Sequence, residues 1–219
     1  MSKSNRVSDV YYGETVSTYE KERQDPKWES ENAAFAQLLT LVAPREIADC
    51  PIGTGRWLSF YEGGVDLEGV PVRGFDASLD MLSETGRKAR SLGLEIELRK
   101  LNIFEDRVPP FAGDAGLLVS TRFLNWVHPS EVLSVIDSYC ASGARWMIVS
   151  IRYDLSGSFF VKVRPLILHF FRKRVLFVHD RERLVKRMES KGYGVQKEVV
   201  VARSKYTVFS YFLFTAERE

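Results

Sequence analysis

The chain has 219 residues, 45% of them hydrophobic, and a formal net charge of +2 at pH 7. That length supports one large domain, or a domain with a cap, around a substantial core, and so small a charge does not by itself call for a nucleic-acid partner. Two cysteines, Cys50 and Cys140, cannot build a disulfide framework, no basic-then-apolar leader opens the chain, and no apolar run approaches the roughly 20 residues that span a bilayer, so a cytoplasmic protein is expected.

Met1 to about Asp9 is polar and expected to fray. Tyr11 to Phe35 is charged and aromatic, with Tyr11, Tyr12, Tyr19, Arg23 and Trp28 spread over two short helices broken at Pro26. We read residues 1–43 as an N-terminal helical lid whose last helix runs from about Glu29 to Val42; the plainer alternative is an extension docked on the core by its aromatic side chains. Residues 44–219 form the main domain.

Ile47 to Cys50 reads as a buried strand, and an amphipathic helix is expected from near Arg56, which puts Gly53-Thr54-Gly55 in a strand-to-helix turn. Ligands of open α/β sheets bind at such turns, because glycine lets the backbone bend and come close and the helix start offers free N–H groups. Val70 to Asp76 is a second strand that ends on an acid, followed by a helix from about Ser78 to Leu92, and Glu95 to Leu101 alternates like a third strand. Ala115 to Ser120, a helix after Pro129, and Arg145 to Tyr153 continue the pattern. Repeated βα units imply a parallel sheet with helices on both faces. The segments Tyr193 to Ala202 and Tyr206 to Ala216 are strand-like and joined by a short polar turn, an antiparallel hairpin.

Between the fifth strand and the hairpin lies an insertion at about 154–175, with paired phenylalanines and the run Arg172-Lys173-Arg174. A plain βα unit does not need it. It is expected to shape a substrate site, to cover the sheet edge, or to rest on an anionic membrane or lipid-linked substrate.

Other chemistries lack their residues. A dinucleotide turn wants a third glycine where Leu58 stands, there is no Gly-Lys-Ser/Thr phosphate loop or Gly-x-Ser-x-Gly elbow, and His128, His169 and His179 have no metal-ligand spacing with cysteine. No metal is expected.

Four motifs in order carry a resemblance: Asp49-x-Pro-x-Gly53-Thr54-Gly55; Gly74-Phe75-Asp76-Ala77-Ser78-Leu79-Asp80-Met81-Leu82; Leu101-Asn102-Ile103; and Leu118-Val119-Ser120-Thr121-Arg122-Phe123-Leu124-Asn125-Trp126. Over roughly Ile47 to Trp126 the chain resembles the class I S-adenosylmethionine-dependent methyltransferases. The resemblance implies an α/β, Rossmann-like, mostly parallel seven-stranded sheet with helices on both faces and a C-terminal antiparallel hairpin. It implies that Gly53, Thr54 and Gly55 run beneath the methionine part of the cofactor, that Asp49 orients that loop and meets the cofactor amino group, and that Asp76 accepts from both ribose hydroxyls. Asn102 would take the adenine amine and the Ile103 N–H a ring nitrogen, while Tyr19 and Arg23, four apart on a helix, would meet the carboxylate. Pro51, Ala77, Met81, Ser120 and Thr121 of these motifs complete the implied cofactor set. From the residues alone, Asp76 equally suits a helix cap and Asn102 a turn.

Two departures stand out: Pro51 where glycine is usual, and Asn102 where aspartate is frequent. Proline fixes φ and removes a donor, whereas asparagine keeps the acceptor oxygen. The aromatic lid and the lack of a nucleic-acid module favour a small or saccharide-like acceptor. Arg172-Lys173-Arg174 favours an RNA or protein acceptor, though no DNA or RNA module is present, and the two departures favour a non-catalytic binding module. A base is needed only for acceptors that lose a proton; His179, His128 and Tyr153 are the candidates. Valine at Gly55 is expected to block the ligand and leave the fold intact. Nothing in the sequence assigns an oligomeric state.

Overall fold

The computed structural model describes residues 27–63, 67–155 and 176–217. In chain order the elements are α1 (Lys27–Leu39), β1 (Glu46–Asp49), α2 (Leu58–Gly63), β2 (Val72–Asp76), α3 (Leu79–Leu92), β3 (Ile96–Lys100), β4 (Gly116–Ser120), a 3-10 turn (Leu124–Trp126), α4 (Val132–Ala141), β5 (Trp146–Asp154), α5 (Arg181–Glu189), β6 (Tyr193–Arg203) and β7 (Thr207–Ala216). The strands form one seven-stranded sheet in the order β3-β2-β1-β4-β5-β7-β6. The first five strands pair in parallel, while β7 runs antiparallel to both β5 and β6. The strand order reverses between β1 and β4, the place where open α/β sheets leave a crevice at their carboxyl ends.

The two faces of the sheet follow from the alternation of side chains along each strand. On β5, Met147, Val149 and Ile151 enter a core shared with α4 and α5, while Ile148 enters the core shared with α1, α2 and α3. Parallel strands buried on both faces read as continuous apolar runs, as β4 does in Leu117-Leu118-Val119. The α3 helix is bounded by its own chemistry: the Ser78 hydroxyl accepts from the Met81 N–H at 3.3 Å, and Gly93 closes the helix in the left-handed region at φ 70°. Asp180 caps α5 in the same way, accepting from the Arg183 N–H at 3.1 Å.

Several boundaries differ from those expected. The helix expected from near Arg56 is α2, only six residues long and starting at Leu58, because the glycine turn continues through Trp57. Helix α1 starts and ends earlier than expected, and the 3-10 turn after β4 had no sequence signal. Of the expected lid at 1–43, residues 27–39 are α1, whose Ala34, Phe35 and Leu38 are buried in the core. Tyr19 and Arg23 lie outside the described residues, as does all of the insertion from 156 to 175. Among the described residues no helix is long and apolar enough to cross a membrane. Cys50 and Cys140 are free.

Candidate functional site

The turn after β1 lies across the end of β2. The Cys50–Pro51 peptide is cis. The Ile52 N–H donates to the Phe75 carbonyl at 2.8 Å, and the Thr85 hydroxyl of α3 donates to the Gly53 carbonyl at 2.7 Å. Gly53 and Gly55 both sit at positive φ, 58° and 70°, which L side chains rarely adopt. They differ in what surrounds them. A Cβ at Gly53 would meet nothing within 4 Å, whereas one at Gly55 would lie 2.6 Å from Leu58 Cδ1 and 3.1 Å from Thr85 Cγ2.

This corrects the expectation for Gly55. Its missing side chain lets α2 approach α3, so Gly55→Val should act on the fold, lowering stability by roughly 1–3 kcal/mol from overpacking before any backbone cost is added. Gly53 is the position that faces open space. A Gly53→Val variant should keep a larger share of its stability and lose ligand affinity; a thermal melt and a calorimetric titration of both variants check the pair.

Asp76, the last residue of β2, is nearly buried, and both of its oxygens are used. Oδ2 accepts from the Gly53 N–H and Oδ1 from the Ser78 N–H, each at 2.9 Å. It is therefore not the cap of α3, a role that Ser78 fills. Its carboxyl is pushed up by burial, against the downward pull of the backbone N–H groups of Ser78, Gly53 and Ala77. Asp49, at the end of β1, is 2% exposed and accepts from the Tyr61 hydroxyl at 2.9 Å. Burial pushes its carboxyl up to about 8, against the Tyr61 hydrogen bond and reinforced by the charge of Asp76. Two buried carboxylates thus flank one glycine turn with little positive charge to meet them.

Asp49, Pro51, Gly53, Thr54, Asp76, Ala77, Met81, Asn102, Ile103 and Thr121 line a single cleft at this end of the sheet. Gly55 is not on its wall, and the Ser120 hydroxyl instead meets the Tyr139 hydroxyl at 2.7 Å in the core beneath. The Asn102 side-chain oxygen accepts from the Phe104 N–H at 3.3 Å, so it already shapes its own turn.

None of the three candidate bases lines the cleft. His179 is buried, bonds the Leu124 carbonyl through Nε2 at 2.7 Å, and is held by burial below the usual imidazole range. His128 meets the Ser130 hydroxyl through Nδ1 at 2.7 Å, and the Tyr153 hydroxyl donates to Glu198 at 2.6 Å on the hairpin side.

The cleft also has a wall of residues to which the sequence assigned no site role: Arg56, Trp57, Phe104, Arg122, Phe123 and Trp126. Trp57 donates from Nε1 to the Thr121 hydroxyl at 2.8 Å and stacks on Phe35 with centroids 3.9 Å apart. Arg56 and Arg122 both reach back to Glu31 of α1, and both guanidinium groups lie over the Trp28 ring, at 3.6 and 4.5 Å from its centroid. Glu31 is readable from the sequence: with Ala34, Phe35 and Leu38 it shares the apolar face of a helix, and an acid on such a face needs partners.

Neither a family model nor a curated protein matches this chain. Solved structures do. Magnesium protoporphyrin IX methyltransferase from Synechocystis PCC 6803 with bound S-adenosylmethionine aligns over 99% of this chain and 98% of its own, with a TM-score of 0.67 and 12% identity. Geranyl diphosphate methyltransferase in complex with S-adenosylmethionine aligns over 87% and 85%, with a TM-score of 0.65 and 13% identity. The fold is that of the class I methyltransferases. DhpI in complex with S-adenosylhomocysteine spans 100% of both chains, with a TM-score of 0.61 and 18% identity. Identities this low establish the shared fold, and the chemistry has to be argued from the residues of this chain.

Proposed function

We propose that this chain is an S-adenosylmethionine-dependent methyltransferase acting on a small-molecule acceptor. The observation that carries the reading is the pair of buried carboxylates, Asp49 and Asp76, at the carboxyl ends of adjacent strands on either side of a glycine turn that faces open space at Gly53. A cationic ligand with a vicinal diol suits that pair. Each Asp76 oxygen accepts from one backbone N–H, the Ala77 N–H also acts on the carboxyl, and the acceptor capacity that remains suits the ribose hydroxyls. Asp49 supplies a carboxylate for the amino group. Ile103 and Phe104 bring apolar surface and backbone to the adenine end of the cleft, where the Asn102 oxygen is engaged by the Phe104 N–H. Two of the similar structures are methyltransferases of magnesium protoporphyrin IX and geranyl diphosphate, which supports a small acceptor.

When bound, S-adenosylmethionine supplies a methyl group already activated by its sulfonium. The residues of this chain then have to align donor and acceptor and keep water out. Trp57, Phe123 and Trp126 provide the apolar wall for that task. Among the described residues none of the candidate bases lines the cleft. Calorimetry with S-adenosylhomocysteine, followed by turnover of S-adenosylmethionine with a pool of small acceptors, tests the reading. Absence of binding by the intact chain would sink it, and binding without turnover would leave only a binding module.

The same reading predicts a proton linkage. Asp49 has its folded pKa raised from 3.8 to about 8, so its contribution to stability is full below the unfolded value and lost as pH rises through about 8. A cationic ligand favours the ionised form and must displace that proton at neutral pH. Affinity for S-adenosylmethionine should therefore rise between about pH 5.5 and 7.5, by up to about tenfold per unit. Asp49→Asn should bind weakly with a flat profile. A wild-type affinity that does not change over this window would remove Asp49 from the site.

A further inference from the structure

One side of the cleft is cationic. Arg56 and Arg122 line it, and Arg152, which is not among its lining residues, stands with them near the buried carboxylate of Glu31. Arg56 and Arg122 are bonded to it. Arg152 is not. Its Nε is buried without a hydrogen-bond partner, and its guanidinium carbon lies 5.6 Å from the centroid of the Phe209 ring. Among the described residues no carboxylate is paired with it. Burial, the charge of Arg122 and the attraction of Glu31 act on it in that order, with the net effect of disfavouring its charge. A cation kept in such a place without a partner is costly.

The backbone brings Arg152 and Arg122 together. Strands β4 and β5 pair with Ser120 opposite Val149, so Arg122 leaves the end of β4 as Arg152 approaches the end of β5. The Arg122 N–H donates to the hydroxyl of Ser150, which shares a sheet face with Arg152, and the Arg152 N–H donates to Asn125 Oδ1 at 3.1 Å. Arg122 is also the one described non-glycine residue at positive φ, 58°. Such a conformation persists only where the surroundings enforce it, and it turns the Arg122 side chain onto the cleft wall.

We propose that Arg152 and Arg122 together bind an anionic oxygen group, a phosphate or a carboxylate, of the small-molecule methyl acceptor. Guanidinium forks match the oxygens of either group, and the Arg152 Nε has no partner. The Glu31 network keeps Arg56 and Arg122 in place without neutralising Arg152. That the anion belongs to the acceptor rests on the methyltransferase reading; the anion site itself does not.

The experiment starts by measuring S-adenosylhomocysteine binding to the full chain, and then titrates inorganic phosphate, and in parallel succinate, into the free and the saturated protein. Phosphate or succinate should bind the saturated wild type, the tighter of the two naming the group. Arg152→Met should weaken that binding by about tenfold or more, with S-adenosylhomocysteine affinity unchanged and a melting temperature equal or higher, and Arg152→Lys should recover part of the loss. No binding of either anion to the wild type, or equal binding to Arg152→Met, would overturn the proposal. Anion binding that S-adenosylhomocysteine displaces would place the group with the cofactor and overturn the acceptor assignment. Arginine-dependent anion binding in a chain that does not take S-adenosylhomocysteine would uphold the anion site and sink the methyltransferase reading instead.

Discussion

Glu31→Ala is expected to lower the stability of the folded chain by about 3–5 kcal/mol, the usual loss when one partner of a buried ionic cluster is removed. Glu31 is 1% exposed and is where separate parts of the chain converge. Arg56 of the glycine turn donates to it at 3.0 Å, Arg122 beyond β4 at 2.8 Å, and the Tyr211 hydroxyl of β7 at 2.8 Å. Without the carboxylate, two cations and a hydroxyl would stay behind with burial still disfavouring the charge of Arg56, which is already held down to about 10. Burial pushes the Glu31 carboxyl up, but the hydrogen bond and charge of Arg122, the charge of Arg56 and the Tyr211 hydrogen bond together bring it below the usual carboxylate range. The sign follows: this contribution is present above the unfolded value of about 4.5 and is lost as pH falls through the lowered folded value. Urea unfolding at neutral pH gives the number. A loss under about 1 kcal/mol, the size of an exposed pair, would mean that the cluster is ordinary surface electrostatics.

Asp76→Ala should reduce both stability and cofactor affinity. Removing the carboxylate leaves the Gly53 and Ser78 N–H groups without their acceptor, and charge-assisted bonds of this kind are worth about 1.5–3 kcal/mol each. An affinity loss of about tenfold or more would thus arise from a disordered turn as readily as from a lost ribose contact. The ligand separates the two causes. If Asp76 receives the ribose diol, the 2′-deoxy analogue of S-adenosylhomocysteine should bind the wild type about tenfold more weakly than the parent does, and the variant should bind both alike. A variant that still prefers the parent by the wild-type factor would show that Asp76 serves the turn alone.

Sequence periodicity carries far in a chain like this one. Strand β4, with Leu117, Leu118 and Val119 in succession, and helix α3, bounded by Ser78 and Gly93, have signals that local physics cannot satisfy in another way. The hairpin of β6 and β7 is marked by alternation on either side of a polar turn, and Ser204 closes that turn by donating its N–H to the Thr207 carbonyl at 2.8 Å. Short elements are less visible. Helix α2 has six residues, too few for a period to show, and its start depends on how the glycine turn packs on Thr85.

By itself the sequence determined the alternation of strands and helices, the closing hairpin, and the placing of Asp49 and Asp76 at strand ends and of Gly53 in the turn after the first strand, because each of these depends on backbone periodicity and on residues near in the chain. The tertiary structure alone decided which of these groups meet. It gave both oxygens of Asp76 to the turn, took Ser120 and His179 into the core, turned the missing Cβ of Gly55 toward Leu58, and set Arg56, Arg122 and Tyr211 around Glu31. Those contacts join residues as far as 180 positions apart. They depend on the order in which the strands lie side by side, and no local pattern of residues contains it.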